Sequence, residues 1–256
     1  MLDFVYTDTL AEILKISFRP YRAFNWGKFI FLFFTNMQPS EQENIYTDDV
    51  DYANTPDNSV WGTEDKATAN LLEKTNIAGK WLNLCAGDGR FNNQLLEKAD
   101  EIIAVDIDES ALQKIIRITP DTLRKKLIVK TVNVVKPFPF ANDVFDGIFC
   151  VGTLHLFPKL VFISILDEMG RVLKSGGRII IDFATDIKRT YPDGSLWIVE
   201  TEPNYTLEEA IIFLKGMFKD YEVGIITDKV EPEKVRLNDK EYVFTSNFIL
   251  LDAVKK

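Results

Sequence analysis

An open α/β sheet of about seven strands, mostly parallel with an antiparallel last strand and helices on both faces, is the architecture expected of this 256-residue chain. Three features point to it. Short apolar runs alternate with helical patterns from residue 63 onward, a glycine-bearing turn joins the first run directly to a helix, and the last two runs are separated by a charged stretch of hairpin length. The strand candidates are 80–85, 101–106, 127–132, 145–151 and 178–183. Before them, 63–74 reads as a helix with Thr63 as cap; between them, the 3.6-residue period marks helices over 91–98, 109–118 and 160–173. Parallel strands need such crossovers, and right-handed crossovers place helices on both faces. After the fifth strand, 206–218 reads as a helix, and 221–228 and 242–253 as strands joined by the charged loop 229–240. A hairpin there inserts the last strand antiparallel to the others.

Composition narrows the function. A hydrophobic fraction of 46% with 12% aromatics supplies a core and rules out global disorder. The formal net charge of −9 argues against nucleic acid as partner, since phosphate contacts need a basic face. The densest basic run, Arg124, Lys125 and Lys126, reads as a solvated turn. The two cysteines, Cys85 and Cys150, fall in strand-like runs and read as reduced thiols of a cytoplasmic protein. With His155 as the single histidine, no metal-binding spacing arises, and no metal is expected.

Residues 1–60 form an N-terminal extension and candidate lid ahead of a domain spanning 61–256. Within it, FNWGKFIFLFFTNM over 24–37 is strongly apolar, yet too short to span a bilayer as a helix and interrupted by Lys28. It lacks a signal-peptide cleavage site. A helix packed on the domain or in a homodimer interface is the plainer expectation; a substrate lid or a membrane-surface contact are the sharper ones.

The chemistry concentrates in WLNLCAGDGRFNNQLL, residues 81–96. Glycines at 87 and 89 leave the backbone at the carboxyl edge of the sheet open to a ligand. A dinucleotide fingerprint needs a third glycine, but Arg90, Phe91 and Asn92 follow Gly89, and Asp88 would repel a pyrophosphate. A ligand bearing sulfonium and ammonium groups suits an acidic turn better. One βα unit later, AVDID ends the second strand at Asp106, where a carboxylate can accept both hydroxyls of a ribose, while Asp108 reads as the cap of the next helix.

These residues, together with NVVKPFPFANDVFDGIFCVGTLHLF (133–157) and EMGRVLKSGGRIIIDF (168–183), resemble the class I S-adenosylmethionine-dependent methyltransferases of the ubiquinone/menaquinone-biosynthesis type. The fold is then Rossmann-like. The resemblance implies S-adenosylmethionine as cofactor, with Gly87, Asp88 and Gly89 and the backbone of Cys85 and Ala86 around its methionine part. It also implies Asp106 on the ribose, Ile107 against adenine, Asn133 and Val134 beside the adenine edge, and Cys150 and Val151 flanking the sulfonium. Asn83 and Asn133 stand where the family usually has acids. Asn133 can still accept from the adenine amino group, and Asp88 could compensate for Asn83 at the ammonium group. Gly176 and Gly177 read as a structural turn, and His155 as a packing residue or, less simply, as a catalytic base.

Acceptor recognition is expected outside the core, in the extension and in 185–197, with Tyr46, Tyr52, Trp61, Tyr191 and Trp197 available to wall a pocket for an apolar or aromatic small molecule. The rivals are a non-catalytic S-adenosylmethionine-binding protein and an NAD-dependent oxidoreductase. The chain is expected to be a monomer or a homodimer.

Overall fold

A computed structural model describes residues 50–60, 65–198, 203–237 and 240–256. Its seven-stranded sheet has the order β3-β2-β1-β4-β5-β7-β6. The strands are β1 (Lys80–Leu84), β2 (Glu101–Asp106), β3 (Leu127–Thr131), β4 (Phe145–Cys150), β5 (Leu173–Thr190), β6 (Tyr221–Leu237) and β7 (Lys240–Lys255). The first five run parallel; β7 inserts antiparallel between β5 and β6. The helices are α1 (Lys66–Lys74), α2 (Asn92–Lys98), α3 (Glu109–Ile118), α4 (Asp121–Arg124), α5 (Lys159–Val172) and α6 (Leu207–Met217). None among the described residues is long and apolar enough to cross a membrane.

The elements follow from local chemistry. In α3, Asp108 caps the first turn by accepting from the Ser110 and Ala111 N–H groups, and Ala111, Leu112 and Ile115 form the buried stripe. In α6, Thr206 and Glu209 make a reciprocal capping box. Strands β1, β2 and β4 are buried along nearly their whole length, as a sheet covered on both faces requires. Trp81 packs across the face of Gly147 on the neighbouring strand, where a side chain would overlap the indole.

Three expectations need correction. Asp65, not Thr63, caps α1, accepting from Thr68 N at 3.0 Å; Thr63 lies outside the described residues. The fifth strand is far longer than 178–183, because Leu173 already pairs with Phe145 and the chain returns to the ladder at Arg178 after a register break. Gly176, at φ +76°, makes that break. The expected loop 229–240 is mostly strand: β6 continues to Leu237 and β7 starts at Lys240. Its charges resemble a loop, but Glu233 and Lys234 are exposed, so the arm carries them at no desolvation cost. Pro232 falls within the register shift between Val230 and Glu233, where its missing N–H leaves the ladder intact.

Candidate active site

Between β1 and β4 the strand order reverses direction, and the crevice beyond the carboxyl ends of the strands at such a point is where open α/β sheets bind ligands. Strand β1 ends in a tight turn. Cys85, Gly87 and Gly89 all take positive φ, at 53°, 50° and 82°. Ala86 N–H donates to Val105 O at 2.9 Å, tying the turn to β2, and Asn92 N–H donates to Gly89 O at 2.9 Å as α2 begins.

The two glycines have different reasons. A Cβ on Gly89 would lie 2.8 Å from Ile115 Cγ1, so close packing of α3 requires glycine there. A Cβ on Gly87 would meet no described atom within 4 Å. Across the crevice Gly152, at φ +71°, is equally open. Two bare backbone segments therefore lie beyond the carboxyl ends of adjacent parallel strands.

Asp106 lies between them and the next strand. Its Oδ2 accepts from Gly87 N–H at 2.8 Å, and its Oδ1 accepts from Asp108 N–H at 3.0 Å. Burial raises its pKa, and these N–H bonds partly offset the rise. Each oxygen keeps acceptor capacity for a further donor. Half-buried Cys85, Ala86, Gly87, Asp106, Ile107, Asn133 and Val151 form one continuous rim along β1, β2, β3 and β4. Buried Val134 and Cys150 lie beneath it. Asn133 Oδ1 accepts from Val135 N–H at 3.1 Å, which fixes the loop after β3 and leaves its amide N–H donors for a ligand.

Asp88 does not face the crevice. It is 1% exposed and forms an ion pair with Lys114 Nζ at 2.9 Å, while Ser59 Oγ and Val60 N–H each donate to it at 2.8 Å. It therefore cannot stand in for Asn83 at an ammonium group, and with Lys114 beside it, it is no longer an argument against pyrophosphate. Asn83 is buried as well, and its Nδ2 donates to Asn92 Oδ1 at 3.2 Å. Tyr52, 2% exposed, packs in the core and cannot wall a pocket. Tyr191 stacks on Trp197 at 6.4 Å within the arm formed by β5, β6 and β7, and Trp197 in turn meets Tyr242 edge-on at 5.0 Å. Tyr191 follows Asp182 by nine residues, roughly 30 Å of extended chain. Tyr46 and Trp61 lie outside the described residues. His155 sits half-buried on the short 3₁₀ turn Leu154–Leu156 that follows β4.

Three features escaped sequence reading. The first is Lys114, wholly buried on the apolar stripe of α3; a charge among Ala111, Leu112 and Ile115 was its visible signal. The second is Asp182, within the apolar run of β5, which accepts from Gly152 N–H and so holds the loop after β4. Burial pushes its pKa up to about 8, opposed by the Gly152 bond and the nearby charge of Arg90. The third is the juxtaposition of Cys85 and Cys150. Both are free thiols, and their mutual hydrogen bond, burial and the charge of Asp106 hold the Cys85 pKa well above the ordinary thiol range. Among the described residues no group of three or more His, Cys, Asp or Glu converges as a metal site would.

Residues 82–177 match the family model for a methyltransferase domain. That segment is similar to a methyltransferase domain. The matched segment runs from within β1 to the Gly176–Gly177 turn and so contains every rim residue named above. Solved structures of similar fold include the YcgJ protein of Bacillus subtilis, at 15% identity and TM-score 0.55, covering 73% of this chain and 97% of that one. A putative methyltransferase of Bacillus halodurans aligns at 15% identity and TM-score 0.52, covering 75% and 98%. An S-adenosylmethionine-dependent methyltransferase of Mesorhizobium loti aligns at 14% identity and TM-score 0.50, covering 76% and 100%. No curated protein sequence matches this chain.

Proposed function

We propose that this chain is an S-adenosylmethionine-dependent methyltransferase that methylates a small-molecule acceptor by direct transfer. One observation carries the cofactor reading: the Asp106 carboxylate is held against the open Gly87 backbone by the 2.8 Å bond, so that an acidic acceptor and an uncrowded turn form one surface. When bound, S-adenosylmethionine supplies an electrophilic methyl group on sulfur. Asp106 would accept from its ribose, Ile107 would cover adenine, and Asn133 would meet the adenine edge. Cys85, Ala86 and Gly87 would line the methionine end, with Val151 and Gly152 opposite. The high pKa of the Cys85 thiol keeps it from attacking as a thiolate, which is what a bystander beside an alkylating group must avoid.

On the acceptor side, Asp182 fixes the Gly152 loop ahead of His155. Beyond it, a depression of about 260 Å³ is lined by Lys159, Asn204, Tyr205, Glu209 and Phe213. The arm continues β5 nine residues past Ile181, the partner of the last residue of β4, and so extends from the same carboxyl edge. We assign acceptor recognition to this depression and the adjoining base of the arm, with apolar or aromatic acceptors favoured by Tyr205 and Phe213. Aligning the acceptor with the methyl–sulfur bond supplies much of the rate in such reactions, so no base is required. We place the reaction in the cytoplasm, where the Cys85 and Cys150 thiols stay reduced.

The test is calorimetric titration with S-adenosylmethionine, S-adenosylhomocysteine and NAD in parallel. Micromolar binding of the two sulfur compounds without NAD supports the assignment and leads to an acceptor screen with labelled methyl donor. NAD belongs in the panel because Lys114 neutralises Asp88; its binding in place of the sulfur compounds would overturn the assignment. Binding without transfer to any acceptor class would mark a non-catalytic cofactor-binding protein.

A further inference from the structure

Residues 50–60 do not lie apart from the domain. Tyr52 is 2% exposed, and the segment passes over α3 and the glycine turn. It is held there by two cations of α3. Lys114 Nζ donates to Thr55 Oγ1, to Asn58 O and to Asp88 Oδ2, each at 2.9 Å. Arg117 donates through Nη1 to Ala53 O at 2.8 Å and through Nη2 to Thr55 O at 3.0 Å.

An ammonium has three N–H donors, and all three of Lys114 are used. Its partners come from two segments distant in sequence, the 50–60 stretch and the turn at Asp88. A lysine 0% exposed among apolar neighbours is costly unless its charge is matched and every donor is used, and an arrangement that depends on all partners at once tolerates no drift. Asp88 is the shared element. It sits between Gly87 and Gly89, and its carboxylate also accepts from Ser59 Oγ and Val60 N–H. The orientation of the turn that carries Gly87 toward Asp106 is thus set partly by residues about thirty positions earlier in the chain.

We propose that residues 50–60 are a latch of the cofactor crevice, with Lys114 and Arg117 as positioning residues that couple its order to cofactor binding. This rests on the cofactor reading above. The latch and the glycine turn share one buried charge pair, so a ligand that stabilises the turn stabilises the latch, and the reverse must hold by the same free energy.

Hydrogen exchange and calorimetry on the full chain test this, with S-adenosylhomocysteine as the probe and wild type, Lys114→Met and Arg117→Ala compared. In wild type, saturating S-adenosylhomocysteine slows exchange in peptides covering 50–60 and 85–90 together. In both variants exchange over 50–60 rises, and affinity for S-adenosylhomocysteine falls on the order of tenfold for Lys114→Met, less for Arg117→Ala. Arg117 is partly exposed, so its removal leaves no buried charge behind and decides the matter should Lys114→Met fail to fold. Faster exchange over 50–60 with affinity unchanged in Arg117→Ala would overturn the latch while leaving the cofactor reading in place. Wild-type protein that does not bind S-adenosylhomocysteine would overturn both.

Discussion

Asp106 shows how far one side chain can be read. Its place at the end of β2 is visible in the alternation of AVDID, but its two backbone bonds are not. These bonds fix the carboxylate before any ligand arrives, so Asp106→Ala is expected to weaken S-adenosylmethionine binding by about 1.5–3 kcal/mol, roughly ten- to a hundredfold in calorimetry. Asp182 has a consequence for pH. Its folded carboxyl titrates at about 8 against an ordinary 3.8, so the folded protein holds a proton that the unfolded chain gives up. Its contribution to stability is therefore greatest below pH 4 and declines as pH rises from about 4 to about 8. Thermal melts across that range should show a steeper decline for wild type than for Asp182→Asn; equal slopes would refute the assignment. The Cys85 thiol should react with a disulfide reagent at pH 7.5 more slowly than free cysteine, because little thiolate is present.

At the scale of elements, strands and helices whose burial is one-sided or complete were legible. The expectations for β2 and α3 coincide with the observed bounds, since β2 carries an apolar run and α3 an acidic cap ahead of its helical period. The end of β6 and the start of β7 were hidden because a solvated arm imposes no apolar period, and charge alone cannot separate strand from loop there. Of the rim residues, Gly87 and Asp106 were legible from the glycine turn and the end of the second strand, and Ile107 only through the family resemblance. The inward turn of Asp88 was not, because it depends on Lys114 twenty-six residues away and on the 50–60 segment. The capping box of α6 offers an element-scale check: Thr206→Ala should cost about 1 kcal/mol, seen as a lower melting temperature with the cofactor affinity retained. Gly89→Ala should do more harm than Gly87→Ala to folding, because only the former drives a methyl group into Ile115, and chemical denaturation of the two variants ranks them.

Over the whole molecule, a cofactor that binds the folded chain alone must raise its melting temperature. At a hundred times the dissociation constant the gain is about 2.7 kcal/mol, or roughly 5–10 °C for a domain of this size. S-adenosylhomocysteine should give that shift and lose most of it in Asp106→Ala. The position of β7 bears on how such a chain reaches its fold during synthesis. Strand β7 follows β6 in the chain yet lies between β5 and β6, so β5 is paired only on its β4 side and β6 has no sheet partner until β7 has emerged from the ribosome. A nascent chain stalled after Leu237 would present two open edges, including the apolar stretch around Ile179, Ile180 and Ile181, to any neighbouring chain. Chaperone demand should therefore peak between the emergence of β6 and that of β7, whose sixteen residues cover the facing edges of β5 and β6.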